Sequence, residues 1–423
     1  MNSLAATFTL VNVITMLALP RQWASLPLLI GTCYMTYGQG TEFGAYSFTV
    51  IRIIIAAGIL RVLFRGERIT GFNMLDLLMV AWGAWAIINS SFHMNPTSAL
   101  VFRLGLVYNT CGIYFLLRVF CQSLDDIWRL LRITSILLLP IALEMLYEQI
   151  LHHNLFSFLG GVPSIPAVRE GNIRAQGPFR HAILAGTVGA VCLPLMVALW
   201  NQYRKIAFSG IFSCLAIVLC SRSSGPLVSV LSGIGGLFLW HYRDQIRIVR
   251  WAAVIGYITL DIVMKAPPYY LMGRIPLVSG STGWHRAELI NTAIRHFNEW
   301  WLWGTDYTRH WMPTGVSWSP DHTDITNHYI KMGVIGGFPL MVFFIAILAT
   351  AFFYIGKLIE ATDDISSGAT FMFWTFGASL FANAATMISV SYFDQSFVFL
   401  YLTLALIGSS WSLTKTLGTK PSV

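Results

Sequence analysis

Charge is what this 423-residue sequence has least of: Asp, Glu, Lys and Arg together make up 11% of it, against about 25% in an ordinary soluble domain. With 56% hydrophobic residues, such a chain cannot cover a globular surface with polar groups, which excludes a soluble enzyme or a free-standing binding module. Sustained period-two alternation of apolar and polar residues is also missing, which excludes a membrane β-barrel. The six cysteines (Cys33, Cys111, Cys121, Cys192, Cys214 and Cys220) lie in or beside apolar runs and none forms a CxxC pair. Neither a zinc ribbon nor a disulfide framework fits that spacing. No Gly-rich nucleotide-binding loop occurs, and no basic segment marks a cleavable signal peptide. The net charge of +8 therefore says little about nucleic acid, because excess Lys and Arg in a membrane protein usually reports topology.

What is present is continuous apolar sequence. Runs near 4–20, 23–38, 45–64, 72–91, 100–121, 130–150, 181–200, 206–221, 224–241, 248–264, 329–356, 368–390 and 395–413 predict an all-α polytopic membrane protein with one integral membrane domain. The first two runs are short and separated only by Pro20, Arg21 and Gln22, so twelve to thirteen spans are expected. Basic residues fall in the loops of one parity: Arg21, Arg61, Arg65, Arg68, Arg118, Arg129, Arg132, Arg204, Lys205, Arg243, Arg247, Arg250, Lys357, Lys415 and Lys420. The short loops of the other parity hold only Arg103 and Arg222. The positive-inside rule then makes the first set cytoplasmic and turns the two long loops, 151–180 and 265–328, to the exterior, the periplasm in a bacterial cell.

The first long loop contains Gly160, Gly161, Pro163, Pro166 and Gly171, which forbid a long helix. Arg169, Arg174 and Arg180 face only Glu170 there. They read either as ordinary juxtamembrane charge or as an anion cradle entering the next helix at Pro178. Glu144 and Glu148, four apart on one face of the preceding span, are either partners for these arginines or residues close to the outer interface. Arg222, in the tight turn Ser221-Arg222-Ser223-Ser224-Gly225-Pro226, breaks the charge trend. The neighbouring hydroxyls and the following helix N-terminus suit a phosphate oxygen.

The second long loop is the least greasy interval of the chain. It holds Trp284, Trp300, Trp301, Trp303, Trp311 and Trp318, with His285, His296, His310, His322 and His328. A lead-in at Ser279-Gly280-Ser281-Thr282-Gly283 supplies cap residues for a helix over about 284–303, amphipathic and expected on the outer leaflet surface, with Arg286 near its free backbone donors. Asp321, His322, Asp324, Asn327 and His328 gather immediately before a span. That cluster suits either a metal ion or a general base at His328 oriented by a neighbouring carboxylate or amide. Gly333, Gly336 and Gly337 permit close packing at the top of that span. Asp394, in a short exterior turn, reads either as a group orienting a base or sugar hydroxyl or as a cap for the last span.

The segments RAQGPFRHAILAG at 174–186, SRSSGP at 221–226, WHRAELI at 284–290 and HYIKMGVIGG at 328–337, in this order around a large exterior loop, resemble the O-antigen ligase and polymerase superfamily of bacterial membrane glycosyltransferases. The likeness is most specific over about 170–340. It implies a GT-C-like fold in the inner membrane. It also implies an inverting, metal-independent transfer of a glycan from undecaprenyl diphosphate to an acceptor sugar, with no cofactor. The acceptor is lipid A-core for a ligase or a growing glycan for a repeat-unit polymerase. On the same resemblance Arg174 or Arg180, with Arg222, binds the diphosphate, and Arg286 and His328 are catalytic. Asp321, His322, Asp324 and Asn327 are accessory candidates. The rival of another class, a transporter or flippase, predicts inverted repeats, broken helices and paired charges near the membrane midplane, whereas these charges cluster at the exterior rim.

Overall fold

Each expected apolar run contains a helix. The computed structural model describes residues 1–44, 46–274, 283–362 and 367–418, so Ser279 to Thr282 of the lead-in and Lys420 lie outside the described residues, and Gly283 opens a helix. The first ten helices are α1 (Ser3–Ala18), α2 (Ser25–Tyr34), α3 (Val50–Arg65), α4 (Met74–Asn89), α5 (Pro96–Phe120), α6 (Leu124–Leu151), α7 (Ala182–Ala198), α8 (Arg204–Ser221), α9 (Ser224–Phe238) and α10 (Ile246–Val263). Short α11 (Leu271–Arg274), α12 (Gly283–Arg295) and α13 (Phe297–Trp300) build the large loop, and α14 (His328–Thr362), α15 (Ser367–Met387) and α16 (Ser396–Gly418) complete the bundle. Three two-stranded hairpins decorate the loop end: β1–β2 (Gly40–Phe43 and Tyr46–Thr49), β3–β4 (Ala167–Arg169 and Asn172–Arg174) and β5–β6 (Gly315–Val316 and Ser319–Thr323).

Among the described residues, seven helices (α4 to α8, α14 and α16) are long and apolar enough to cross a membrane. The protein is membrane-embedded and all-α. Bulky apolar side chains such as Phe64, Ile136, Phe208, Leu219, Leu231 and Ile262 point outward, a surface that water would not tolerate but acyl chains would. Helix α7 is apolar all round and almost wholly buried. It forms the central post, packed by α8, α9 and α15. Glycines allow that density: a Cβ on Gly189 would meet the Cys214 carbonyl at 2.7 Å.

The bundle has two chemically distinct ends. At one, Arg61 pairs with Glu67 at 2.8 Å, Arg129 with Asp126 at 2.7 Å and Arg118 with Asp76 at 2.9 Å. At the other lie both long loops and the hairpins. The basic-loop parity read from sequence is thus a real two-sidedness of the molecule.

Helix α14 is not straight. Gly336 and Gly337 interrupt it, Gly337 with φ 75° and ψ 177°, a conformation open essentially only to glycine. The large loop docks on this break: Phe338 N–H donates to the Trp301 carbonyl at 2.8 Å, and Thr305 N–H to that of Val334 at 3.0 Å. The glycines therefore shape a kink that seats the loop backbone, besides allowing close packing. A Cβ at Gly337 would collide with the Leu302 carbonyl. Gly337→Ala is expected to cost at least ~1–3 kcal/mol and to lower the thermal midpoint in detergent. Gly356→Ala, where a Cβ meets nothing within 4 Å, should leave the midpoint level or raised. Equal midpoints for the two would contradict this account of the kink.

Candidate functional site

The first long loop is fastened before it presents anything. Glu148 Oε2 accepts from the Gln176 and Gly177 N–H groups at 3.0 and 2.9 Å, and Glu144 Oε1 from Leu155 N–H at 3.0 Å. These two carboxylates are loop anchors, and neither forms an ion pair with an arginine among the described residues. Gln149 reaches the Ile173 carbonyl at 2.6 Å, while Ala175 N–H donates to Cys220 at 3.0 Å. The β3–β4 hairpin turns through Glu170 and Gly171, both at positive φ, and so delivers Arg174 to the turn between α8 and α9. Helix α7 begins after His181, whose Nδ1 accepts from Ile183 N–H at 3.2 Å. The expected helix start at Pro178 is corrected to this later position, and Pro178 itself lies buried in the turn before it.

Two arginines meet at the N-terminus of α9. Arg174 Nη2 donates to Ser223 Oγ at 2.7 Å, and Arg286 Nη1 approaches Ser224 Oγ at 3.5 Å, the outer limit of a hydrogen bond. Each guanidinium belongs to a residue only 8% exposed, each leaves a buried Nε without a partner, and neither has a carboxylate in ion-pairing range among the described residues. Burial lowers both pKa values, and the Arg169 charge lowers them further. Two poorly neutralised buried cations beside a 15-residue helix N-terminus cost free energy unless an anion joins them. Gly225 keeps that floor tight, since a Cβ there would press on Val390 at 2.9 Å.

Arg222 does not join the buried pair. It ends α8 at φ 45°, and its exposed side chain makes no hydrogen bond or ion pair among the described residues. The choice between Arg174 and Arg180 divides by location. Arg174 belongs to the serine turn, whereas Arg180 is exposed over the Tyr37 ring at 5.9 Å and lies in the field of Asp394.

The turn between α15 and α16 links both places to α14. Tyr392 N–H donates to His328 Nδ1 at 3.1 Å, and the buried ring packs edge-on against Phe344. With Nδ1 occupied as an acceptor, the neutral ring carries its proton on Nε2 and presents a donor there. That disfavours the expected role of His328 as general base. Two residues later, Asp394 sits at φ 52° and only 5% exposed, with Oδ2 unpartnered. Burial pushes its carboxyl up to about 6, opposed by Arg180 and Lys331. It is not the side-chain cap that one of its two readings required: Ser396 opens α16 after Gln395, whose amide bridges the Met35 and Pro178 carbonyls. Lys331, one turn below His328, reaches the Tyr392 carbonyl at 3.3 Å. Lys331 is a further candidate residue, and its i+3 spacing from His328 is the signal in the sequence that marks it.

The accessory candidates separate. Asn327 caps α14 by accepting from Ile330 N–H at 3.0 Å and ties it to the Ile388 carbonyl at 2.9 Å. His322 faces Ser319 at 2.8 Å within its own hairpin. Asp321 and Asp324 are exposed. These residues bring no three metal donors together, so the metal reading of 321–328 finds no support in the geometry.

The helix expected over 284–303 breaks at His296 into α12 and α13, and its apolar face is not laid flat on a leaflet. Leu289, Ala293, Trp300, Trp311 and Met312 form a small core with Ile330 and Val334 of α14, and Trp300 lies directly over Gly333. Trp303 stacks between Phe92 and Trp85 at 3.7 and 5.8 Å. Asp306 grips this edge, contacting His93 Nδ1 at 2.6 Å and accepting from Met94 N–H at 2.8 Å, while Arg103 binds the Ile335 carbonyl. Arg103, the other charge against the topological trend, is thus part of a latch. Ile294, Phe297 and Trp301 remain exposed on the far side.

A cavity of about 650 Å³ lined by Gly71, Phe72, Tyr354, Trp411 and Lys415, among others, opens at the opposite end of the bundle. Its walls are mainly apolar, and none of the candidate site residues lines it, so charge rather than hollow shape locates the candidate site. The chain matches no family model and no curated protein.

Proposed function

We propose that the chain is a glycosyltransferase of the O-antigen ligase-like kind, with a GT-C-like fold in the bacterial inner membrane and its loop end in the periplasm. On this reading the chain crosses twelve to thirteen times. It moves a glycan from undecaprenyl diphosphate to an acceptor sugar. The observation that carries the proposal is the Arg174 and Arg286 pair, buried at a helix N-terminus without a carboxylate partner among the described residues. A diphosphate leaving group supplies the missing negative charge, and two guanidinium forks stabilise it as the anomeric C–O bond breaks. Exposed Arg222 gathers the lipid headgroup at the rim.

The acceptor hydroxyl oxygen forms the new bond to the anomeric carbon from the opposite face. The electron pair of the broken bond departs with the diphosphate, and configuration inverts. Asp394 accepts the hydroxyl proton, and the His328 Nε2–H donates to a substrate oxygen. A carboxylate titrating near 6 suits this work around neutral pH. The rate should fall as pH drops through about 6, because the protonated acid accepts nothing. Arg180 favours the charged form, so Arg180→Ala should raise the Asp394 pKa and move the acid limb of the pH–rate profile to higher pH. An unmoved limb would contradict Asp394 as the base.

A flippase reading expects paired charges near the membrane midplane, whereas the Glu148 carboxylate is engaged by loop amides at 2.9 and 3.0 Å. The proposal is tested by giving the detergent-solubilised protein a lipid-linked glycan with either lipid A-core or a second lipid-linked glycan as acceptor. Product on the first marks a ligase and on the second a polymerase. Transfer to neither, with a panel of donor sugars, would overturn the assignment.

A further inference from the structure

Away from the arginines, the large loop brings three metal-ligating side chains to one point. His296 sits at the break between α12 and α13, one helical turn before Glu299, while His310 arrives from the 3-10 turn Arg309–Trp311. The donor atoms of His296, Glu299 and His310 all lie within 4.8 Å of one another. Glu299 Oε1 is 2.7 Å from His296 Nδ1, and Oε2 is 3.0 Å from His310 Nε2. Ligands around a tetrahedral ion at ~2.0–2.2 Å stand roughly 3.3–3.5 Å apart, so small ring rotations make room for one.

The surroundings already fix the donors. Trp311 Nε1–H donates to Glu299 Oε2 at 3.0 Å, an orienting contact behind a ligand of the kind that tunes metal sites. The His296 ring stacks on Trp311 at 5.8 Å and His310 on Tyr307 at 5.0 Å, which sets both ring planes. Among the described residues no other group of three His, Cys, Asp or Glu converges in this way.

We propose that His296, Glu299 and His310 bind one divalent transition-metal ion, zinc by donor type, as a staple across the outer part of the large loop. Two imidazoles and a carboxylate are a zinc donor set that leaves the fourth position to water. For binding, each neutral ring places its proton on the nitrogen away from Glu299, and the carboxylate stays charged. The ion ties α13 to the 305–312 segment, whose Trp311 shares with Trp300 of α13 the small core against α14. Its role is to stiffen the loop that carries Arg286. The staple needs no part in sugar transfer, and its test is independent of that reading.

Full-length protein with a histidine-free affinity tag, stripped with chelator, is titrated with zinc chloride by calorimetry and followed by thermal unfolding. Wild type should take up one ion per chain and unfold at a higher temperature when loaded. His310→Ala and Glu299→Gln should weaken uptake by at least about 100-fold, the upper range for losing a mere outer-shell partner, and His322→Ala should not. Glu299→Gln keeps a hydrogen-bonding side chain for Trp311, so it decides the matter should His310→Ala fail to fold. Wild type that takes up no zinc, or uptake that survives Glu299→Gln, would overturn the staple. So would uptake lost only in His322→Ala.

Discussion

Replacing Arg286 or Arg174 by Ala is expected to reduce glycan transfer by about 10²–10³-fold each, the size seen when one preorganised donor to a developing anion is removed. The reasoning starts from cost. Each guanidinium sits in a residue 8% exposed, at a helix start, without a carboxylate partner among the described residues, an arrangement that destabilises the empty protein. Relief of that cost by a diphosphate is available only where the fork geometry is kept. Arg174→Lys and Arg286→Lys should therefore recover part of the rate but not all of it, because an ammonium offers a point charge in place of two parallel donors. Arg222→Ala, at an exposed position, should raise KM and leave kcat nearly unchanged. The readout is label moved from lipid donor to acceptor by purified variants matched for thermal midpoint. Wild-type rates in both alanine variants would remove the diphosphate cradle from the account. As the positive charge crowding each site is lost, both variants should be at least as stable as wild type, which separates a lost substrate contact from a lost fold.

The second large effect is expected at the other end of the bundle, on folding rather than transfer. Asp76 and Arg118 form an ion pair with side chains 0% and 1% exposed. Arg118 Nε and Nη2 each donate to Asp76 at 2.9 Å, Tyr114 donates a third bond at 2.7 Å, and Asp76 closes the capping box with Asn73. Asp76→Ala strands a buried guanidinium and uncaps α4, a loss of about 3–5 kcal/mol for the broken pair. Most of the variant should be lost from the monodisperse peak on size-exclusion chromatography in detergent. The double variant Asp76→Ala/Arg118→Ala should be less damaged than the single one, because no unpaired charge remains. A single variant as stable as wild type would contradict the pair's structural role.

The fold class was legible in the sequence because a membrane imposes it: with 11% charged residues and long apolar runs, helices are the form that satisfies the backbone. The two-sidedness was legible for the same reason, through arginine placement. Arg103 and Arg222 broke that trend, and the structure makes the first a loop latch while the second lies exposed outside the buried pair. Other features were hidden because local pattern is ambiguous where tertiary contacts decide. The spacing of Leu289, Ala293 and Trp300 reads identically for a helix on a leaflet and for one packed on α14. The carboxylates of Glu144 and Glu148 read either as partners for arginines or as residues close to the outer interface, and loop amides took them. His328 looked like a base until the Tyr392 amide, 64 positions away, took its Nδ1. The His296, Glu299 and His310 group was dispersed among five loop histidines, and only the break at His296 with the return of the chain at 309–311 assembled it.

The central claim is that two buried arginines wait for a lipid diphosphate. Native mass spectrometry of the protein released from nanodiscs, with undecaprenyl diphosphate and undecaprenyl monophosphate offered in competition, measures this without any glycan or acceptor. The account predicts retention of the diphosphate lipid over the monophosphate by wild type, and loss of that preference in Arg174→Ala/Arg286→Ala. Equal retention of the two lipids by wild type, or a preference unchanged in the double variant, would contradict it.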